Sequence, residues 1–217
     1  MIKQQYAIVG LGRFGASLAN TLLDAGNEVL AIDISEDRVN EFADTATHAV
    51  IADSTNEEAL KAIGIGNFDT VIVAIGNDMQ ASILTTLVLK ELNIKKVVAK
   101  AINKRHGDVL KKVGADWVVF PESDMGNRVA HQLMSPKVLN FIELAKDYSI
   151  EEIKAPSQMA GQNLKESNIR VEFNLTVIAI NRKDKILISP SPEEVIQEGD
   201  ILVVIGENKD LQRFSNL

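Results

Sequence analysis

Three glycines constrain this chain more than any other residues. The apolar run YAIV (6–9) breaks into Gly10, Gly12 and Gly15 at the spacing G-x-G-x-x-G, and Leu18, Leu22 and Leu23 then recur at helical spacing. That order predicts strand, tight turn, helix. Gly10 allows the sharp turn, Gly12 leaves bare backbone for a diphosphate, and Gly15 lets the helix pack closely on the strand. The helix then presents free N–H groups and the positive end of its dipole to an anion. A second strand, EVLAIDIS (28–35), carries Asp33 at its end. A carboxylate there accepts ribose hydroxyls and repels a 2′-phosphate, so NADP is disfavoured. Strand, helix and distal acid together supply the context that a lone glycine motif lacks, which favours nucleotide binding over a plain turn with a solvated acid.

The segments that follow repeat the same grammar. SEDRVNEFAD reads as a helix capped by Ser35, HAVIAD as a strand, and EEALKAIG as a helix capped by Asn56 and stopped by Gly64. DTVIVAIG is a strand apolar enough to be covered on both faces. DMQASILTTLVLKELN is the longest amphipathic helix of the first half, and KKVVAKAIN, KRHGDVLKKVG and ADWVVFPE add strand, helix and strand. Six strands alternating with helices predict a Rossmann-like, doubly wound parallel sheet over 1–134, with ligand at the C-terminal strand ends. The first and fourth strands flank such a crevice, which places Ala74, Ile75, Gly76 and Asn77 beside the nucleotide, with Phe14 and Ile34 on the loops opposite. Asp53 and Ser54 suit either an adenine edge or a plain turn. Lys100 reads as a buried-stem lysine with a free head or as a phosphate neighbour.

Ser135 and Pro136 break the pattern. KVLNFIELAKD, with apolar residues at 138, 139, 141, 142, 144 and 145, reads as a crossover helix over 135–147, held between two bodies or packed on the sheet. Residues 148–217 change character. SIEEIKA is a strand, SQMAGQNLKES a short helix, and LTVIAINR, KILISP and DILVVIG are strands before a last helix in NKDLQRF. Asp184 and Lys185 form a hairpin-like turn. This is a small α+β domain with an antiparallel element.

Composition excludes several chemistries. No cysteine exists, so disulfides, thiolate nucleophiles and cysteine zinc sites are impossible. A net charge of −7 disfavours nucleic acid as the partner. No apolar run approaches the roughly 20 residues that span a bilayer. The first strand follows the starting Met directly, so no leader is expected and the chain reads as soluble and cytoplasmic.

The stretches VGLGRFGASLA, AIDISEDRVN, ATHAVIADST, VIVAIGNDMQASILTTLVLKEL, GADWVVFPESDMG, NIRVEFNLTVIAI and ISPSPEEVIQEGDILVVIG resemble the cytoplasmic RCK (regulator of potassium conductance) subunits of bacterial potassium uptake systems, Ktr type. The resemblance spans essentially the whole chain. It implies octameric rings, built from dimers, beneath a membrane-embedded potassium-translocating protein, with ATP and ADP exchanging in the crevice and NAD(H) binding there in some members. It further implies that Gly10, Gly12 and Gly15 cradle the diphosphate, that Asp33 holds the ribose, and that Arg13 reaches a γ-phosphate of its own or a neighbouring subunit. An always-charged planar fork suits that task. Glu122 corresponds to the position that binds a divalent cation, Mg²⁺ or Ca²⁺; read alone, it is a helix-start acid. Leu164, Ile169, Arg170, Val177 and Pro192 match approximately a pocket that takes cyclic di-AMP between two chains. The location implied is the inner face of the membrane, reached through the partner.

A dehydrogenase would need a positioned acid or base beside the nicotinamide. Of the three histidines, His48 opens a strand, His106 starts a basic helix and His131 lies on a later helix, none at a sheet C-terminus. The sequence therefore favours a binding module over an enzyme or a purely structural assembly protein.

Overall fold

The structure is a computed structural model that describes residues 4–134, 137–183 and 185–217. Ser135, Pro136 and Asp184, read above as a break and part of a turn, lie outside the described residues. Two compact units divide the chain, residues 1–124 and 125–217.

The first unit is a six-stranded parallel sheet in the order β3-β2-β1-β4-β5-β6. Its strands are β1 (Gln5–Val9), β2 (Glu28–Asp33), β3 (His48–Ile51), β4 (Thr70–Val73), β5 (Lys96–Lys100) and β6 (Trp117–Val119). Between them run α1 (Arg13–Asp24), α2 (Glu36–Asn40), α3 (Glu57–Ala62), α4 (Met79–Glu91) and α5 (Lys104–Lys112). β1 pairs with both β2 and β4, so strand order reverses between β1 and β4 and opens the crevice there. Alternation explains the continuous apolar runs. Ala7, Val9, Val71 and Val73 join one buried cluster while Ile8 and Ile72 join another on the opposite face. Asn56 caps α3 by accepting from the N–H groups of Glu58 and Ala59, as its position implies.

Two helices differ from expectation. α2 is helical only to Asn40, and Ser35 at its N-cap makes no side-chain capping bond. α4 is not amphipathic in the usual sense, for it buries Ser82, Thr85 and Thr86 and leaves Leu84 and Leu87 partly exposed. Two of the three hydroxyls find partners: Thr86 Oγ1 donates to the Ser82 backbone O at 2.8 Å, and Thr85 Oγ1 lies 2.7 Å from Ser54 Oγ, while the buried Ser82 hydroxyl makes no hydrogen bond among the described residues.

The division between units falls inside α6 (Pro121–Met134). The second unit is a five-stranded antiparallel sheet in the order β10-β9-β11-β8-β7. It comprises β7 (Val138–Ala145), β8 (Tyr148–Lys154), α7 (Ile169–Phe173), β9 (Thr176–Arg182), β10 (Lys185–Ile188), β11 (Ile201–Glu207) and α8 (Asn208–Ser215). The crossover helix expected over 135–147 is therefore corrected to strand β7, an edge paired with β8. Register shifts between Val138 and Asn140 and again between Glu143 and Ala145 break the two-residue alternation, and the result imitates helical spacing. SQMAGQNLKES is likewise not a helix beyond a single turn at Ser157–Met159, because Gly161 sits at φ 87°. α7 went unread. It is five residues long between Asn168 and Asn174, both left-handed, too short to show a period.

Ile153, Ile180, Leu202, Val204 and Phe214 fill the second core, with Phe173 edge-on to Phe214 at a centroid distance of 5.2 Å. Polar side chains border this core as well, Ser149, Asp200 and Asp210 among them. Glu151 shares a face of β8 with buried Ser149 and Ile153, and burial pushes its carboxyl up from the usual range. A raised folded pKa means the charged form costs stability, a cost absent at acid pH and incurred as pH rises through the folded pKa. Glu151→Gln is expected to raise the melting temperature at neutral pH, with the gain shrinking as pH is lowered; an equal gain at both ends of a pH series of thermal melts would contradict this.

Candidate nucleotide crevice

β1 delivers the glycine loop onto the end of β4. Gly10 has φ 95°, and a Cβ there would meet Ile75 N at 3.0 Å and the Ala74 carbonyl carbon at 3.1 Å. Its N–H donates to Ile32 O at 2.8 Å, which ties the turn to β2 as well. Gly15 is the tightest contact, since a Cβ would lie 1.9 Å from Gly10 O. Gly12 is the opposite case: it caps α1 at φ −68°, and a Cβ would meet nothing within 4 Å. α1 has no side-chain cap and no acid in its first turn. Its first N–H groups are thus left for an anion above Gly12.

Asp33 organises this loop from β2. Its Oδ2 accepts the Leu11 N–H at 2.7 Å, its Oδ1 accepts the Ser35 N–H at 2.9 Å, and Arg38 Nη1 stands 3.3 Å from Oδ2. The carboxylate is buried, with its side chain 4% exposed. Sequence reasoning placed the acid but missed the Leu11 N–H and Arg38, because neither a backbone amide nor a helix-surface arginine stands out in a string of letters. Ile34, next along, is 73% exposed at the crevice end of β2, a free apolar face available to a flat base.

On the other flank, Ala74 N–H donates to Val9 O at 2.7 Å and holds the two strand ends together. Asn77 is exposed beyond them. A Cβ on Gly76 would lie 3.2 Å from Lys100 Nζ, so the lysine runs against bare backbone. Lys100 is buried, its Nζ 2.6 Å from Glu122 Oε1 and 5.7 Å from the Phe14 ring centroid. Of the two readings of Lys100, the buried stem holds but the head is paired and not free, while its place beside Gly76 suits a phosphate neighbour. Glu122 is held below the usual carboxylate range chiefly by the Lys100 hydrogen bond, against some desolvation, and the Arg13 charge adds to the effect. Arg13, the first residue of α1, is exposed. Arg13, Phe14, Gly76, Lys100 and Glu122 thus converge in one basic corner beside the loop.

Asp53 and Ser54 behave as turn residues. Asp53 Oδ1 accepts from the Thr55 N–H at 2.9 Å and hydroxyl at 2.7 Å, and that hydroxyl is the main reason its carboxyl is held low. The Ser54 hydroxyl is committed to Thr85 inside the fold. Beyond Glu122 lies a cavity of about 390 Å³ lined by Ile102, Asn103, Lys104 and Phe120 among others, which the sequence reading did not find. His106 is buried, Nδ1 accepts the Ile102 N–H at 3.4 Å, and burial lowers its pKa, so it is a neutral interior side chain. His48 is exposed.

Glu122 is the carboxylate of this corner, already paired with Lys100, and among the described residues no three His, Cys, Asp or Glu side chains are placed to hold a metal ion together. Such a donor set fits a cation that takes its other ligands from phosphate and water. In the second unit, Ile169 belongs to the core, Leu164 and Val177 pack against it, and Arg170 and Pro192 are exposed. The Lys165 N–H donates to Pro192 O at 2.9 Å, which brings the segments holding Leu164 and Pro192 together. No helix among the described residues is long and apolar enough to cross a membrane.

Comparison with known proteins agrees with this anatomy. Residues 6–121 match the TrkA-N domain and residues 149–217 the TrkA-C domain. The chain is 49% identical to Ktr system potassium uptake protein C of Bacillus subtilis (strain 168), covering 98% of this chain and 96% of that protein. Among solved structures, the GsuK channel bound to NAD superposes with a TM-score of 0.54 at 27% identity, over 100% of this chain and 38% of that one. GsuK bound to ADP gives 0.52 at 29% identity, over 60% of this chain and 34% of that one. This chain spans little more than a third of the length of either GsuK structure.

Proposed function

The chain belongs to the Ktr family of potassium uptake proteins, with a TrkA-N and a TrkA-C domain, and from that premise we propose that it is a nucleotide-sensing regulatory subunit. It assembles with copies of itself, as dimers in an octameric ring, and gates a membrane-embedded potassium-translocating partner at the inner face of the membrane. It catalyses nothing itself. The observation that carries this reading is the crevice: an uncapped helix start over Gly12, a buried Asp33, and a basic corner of Arg13 and Lys100 beside one carboxylate.

The arrangement sorts ligands by phosphate count. Gly10, Gly12 and Gly15 admit the diphosphate of ADP, ATP or NAD(H) against backbone N–H groups, and Asp33 receives the ribose. A γ-phosphate extends toward the corner where Arg13 is exposed, and a cation shared between that phosphate and Glu122 neutralises the added charge. Glu122 is then drawn from Lys100 to the cation, leaving the ammonium for phosphate. ADP lacks those contacts. A differential of ~1–3 kcal/mol per site is typical of coupling, and summed over a closed ring it shifts the population decisively. In the second unit, exposed Arg170 and Pro192 are the contacts offered to a cyclic di-AMP shared between two chains.

Arg13→Ala tests the sorting. The variant is expected to keep ADP affinity and lose the preference for ATP, a change of about tenfold or ~1.4 kcal/mol in calorimetry; equal losses for both nucleotides would remove Arg13 from the sensing role.

A further inference from the structure

The carboxylate expected to meet the ribose already has three hydrogen-bond partners. Oδ2 of Asp33 takes the Leu11 N–H at 2.7 Å and Arg38 Nη1 at 3.3 Å, while Oδ1 takes the Ser35 N–H at 2.9 Å. An ionised carboxylate has about four acceptor positions, so three are filled. Ribose hydroxyls must therefore share Asp33 with Arg38 or move it. The arginine is the movable partner, with a side chain 46% exposed against 4% for the aspartate.

A bare acid at this strand end rejects a 2′-phosphate, and an arginine beside it accommodates one. This chain has both, as an ion pair. We propose that Arg38 opens the crevice to adenosine carrying a 2′-phosphate, so that ligands of the NADP(H) class bind alongside those with a free 2′-hydroxyl. The inference rests on the adenine-nucleotide reading of the crevice, and it replaces the expectation, drawn from Asp33 alone, that NADP is disfavoured.

The loop's own hydrogen bonds to Asp33 do not run through Arg38. When a 2′-phosphate enters, the guanidinium, which meets Oδ2 through Nη1 alone, turns its remaining N–H groups to two phosphate oxygens and stands between the phosphate and Asp33, offsetting the repulsion of the carboxylate. Asp33 keeps the Leu11 and Ser35 amides, so the glycine turn stays in place. With a 2′-hydroxyl ligand, Arg38 remains on Asp33. The neighbouring acids Glu36 and Asp37 are exposed in the first turn of α2, where solvent and salt screen their repulsion.

Calorimetry on the full chain with two matched pairs, 5′-AMP against adenosine 2′,5′-bisphosphate and NADH against NADPH, decides the matter. Wild type is expected to bind the members of each pair within about tenfold of one another. Arg38→Ala should lower the affinity for the 2′-phosphorylated member relative to its 2′-hydroxyl partner by about tenfold or more, and Arg38→Lys, which keeps the charge without the fork, should fall between. Unchanged thermal melts establish that the variants fold. Binding of 5′-AMP and NADH by wild type with none of the 2′-phosphorylated members overturns the inference while leaving the crevice reading intact, as does an equal loss for both members in Arg38→Ala. Silence from all four ligands overturns the crevice reading and this inference with it.

Discussion

Gly15→Ala is expected to cost the first unit about 3 kcal/mol or more, at or above the upper end of ordinary overpacking, because the new methyl would lie 1.9 Å from Gly10 O. No rotamer relieves a clash between a Cβ and backbone, so either β1 and α1 separate or the turn is rebuilt. Gly12→Ala, in the same loop, should behave oppositely. Its φ of −68° suits any residue and its Cβ meets nothing within 4 Å, so stability should fall by under about 1 kcal/mol, the scale of an N-cap change. The methyl then stands in the space above the helix start, and ADP affinity should drop by about tenfold or more. Urea melts and ADP titrations on both variants separate the two roles. A pair of variants that lose stability and binding in the same proportion would show that the loop has a single, structural role.

The second large effect lies in the second unit. Arg182 on β9 donates through Nε and Nη2 to Asp200 at 2.9 and 2.8 Å, through Nη1 to Glu194 at 2.9 Å, and through Nη2 to Val195 O at 2.8 Å. Asp200 also accepts the Gln197 N–H at 2.8 Å, and its side chain is 1% exposed against 20% for Arg182. Removing one partner of a buried pair strands the other, which costs ~3–5 kcal/mol; Arg182→Met is expected near the lower end because the pair is not wholly enclosed. Asp200→Asn, which keeps an acceptor, should cost less. Acid should reproduce the loss. Burial pushes the Asp200 carboxyl up, but the Arg182 hydrogen bond, the Gln197 amide and the Arg182 charge together hold it below the usual range. A depressed folded pKa gives stability that is present above the unfolded value of about 3.9 and lost as pH falls through the folded one. Thermal melts below about pH 4 should therefore converge for wild type and Asp200→Asn. A constant gap between them down to low pH would show that the ion pair contributes nothing.

The two units were unequally legible. β1, α1 and β2 could be read because glycine spacing, an apolar run and a strand-end acid are local signals of one geometry. Alternation pointed to a doubly wound sheet whose first and fourth strands flank the crevice, and the reversal between β1 and β4 brings Gly10 against Ala74 and Ile75. β7 failed because its two register shifts spoil the period that identifies a strand, and α7 because five residues cannot show a helical one. Within the crevice, Asp33, Lys100 and Glu122 stood out as ionisable strand-end groups. Their connections did not. That Lys100 pairs with Glu122 and that Arg38 shares Asp33 with the Leu11 amide depends on side chains meeting across separate elements. Ser54 shows the converse, a residue well placed in sequence whose hydroxyl turns inward to Thr85.

The central claim is that a terminal phosphoryl group changes the shape of an assembly built from this chain. Small-angle X-ray scattering of the purified protein saturated with ATP and a divalent cation, and then with ADP, tests it most directly. Two distinct profiles from particles of the same mass are predicted, with Arg13→Ala giving the ADP profile under both conditions. Superimposable profiles from wild type, with both nucleotides shown to be bound, would contradict the claim.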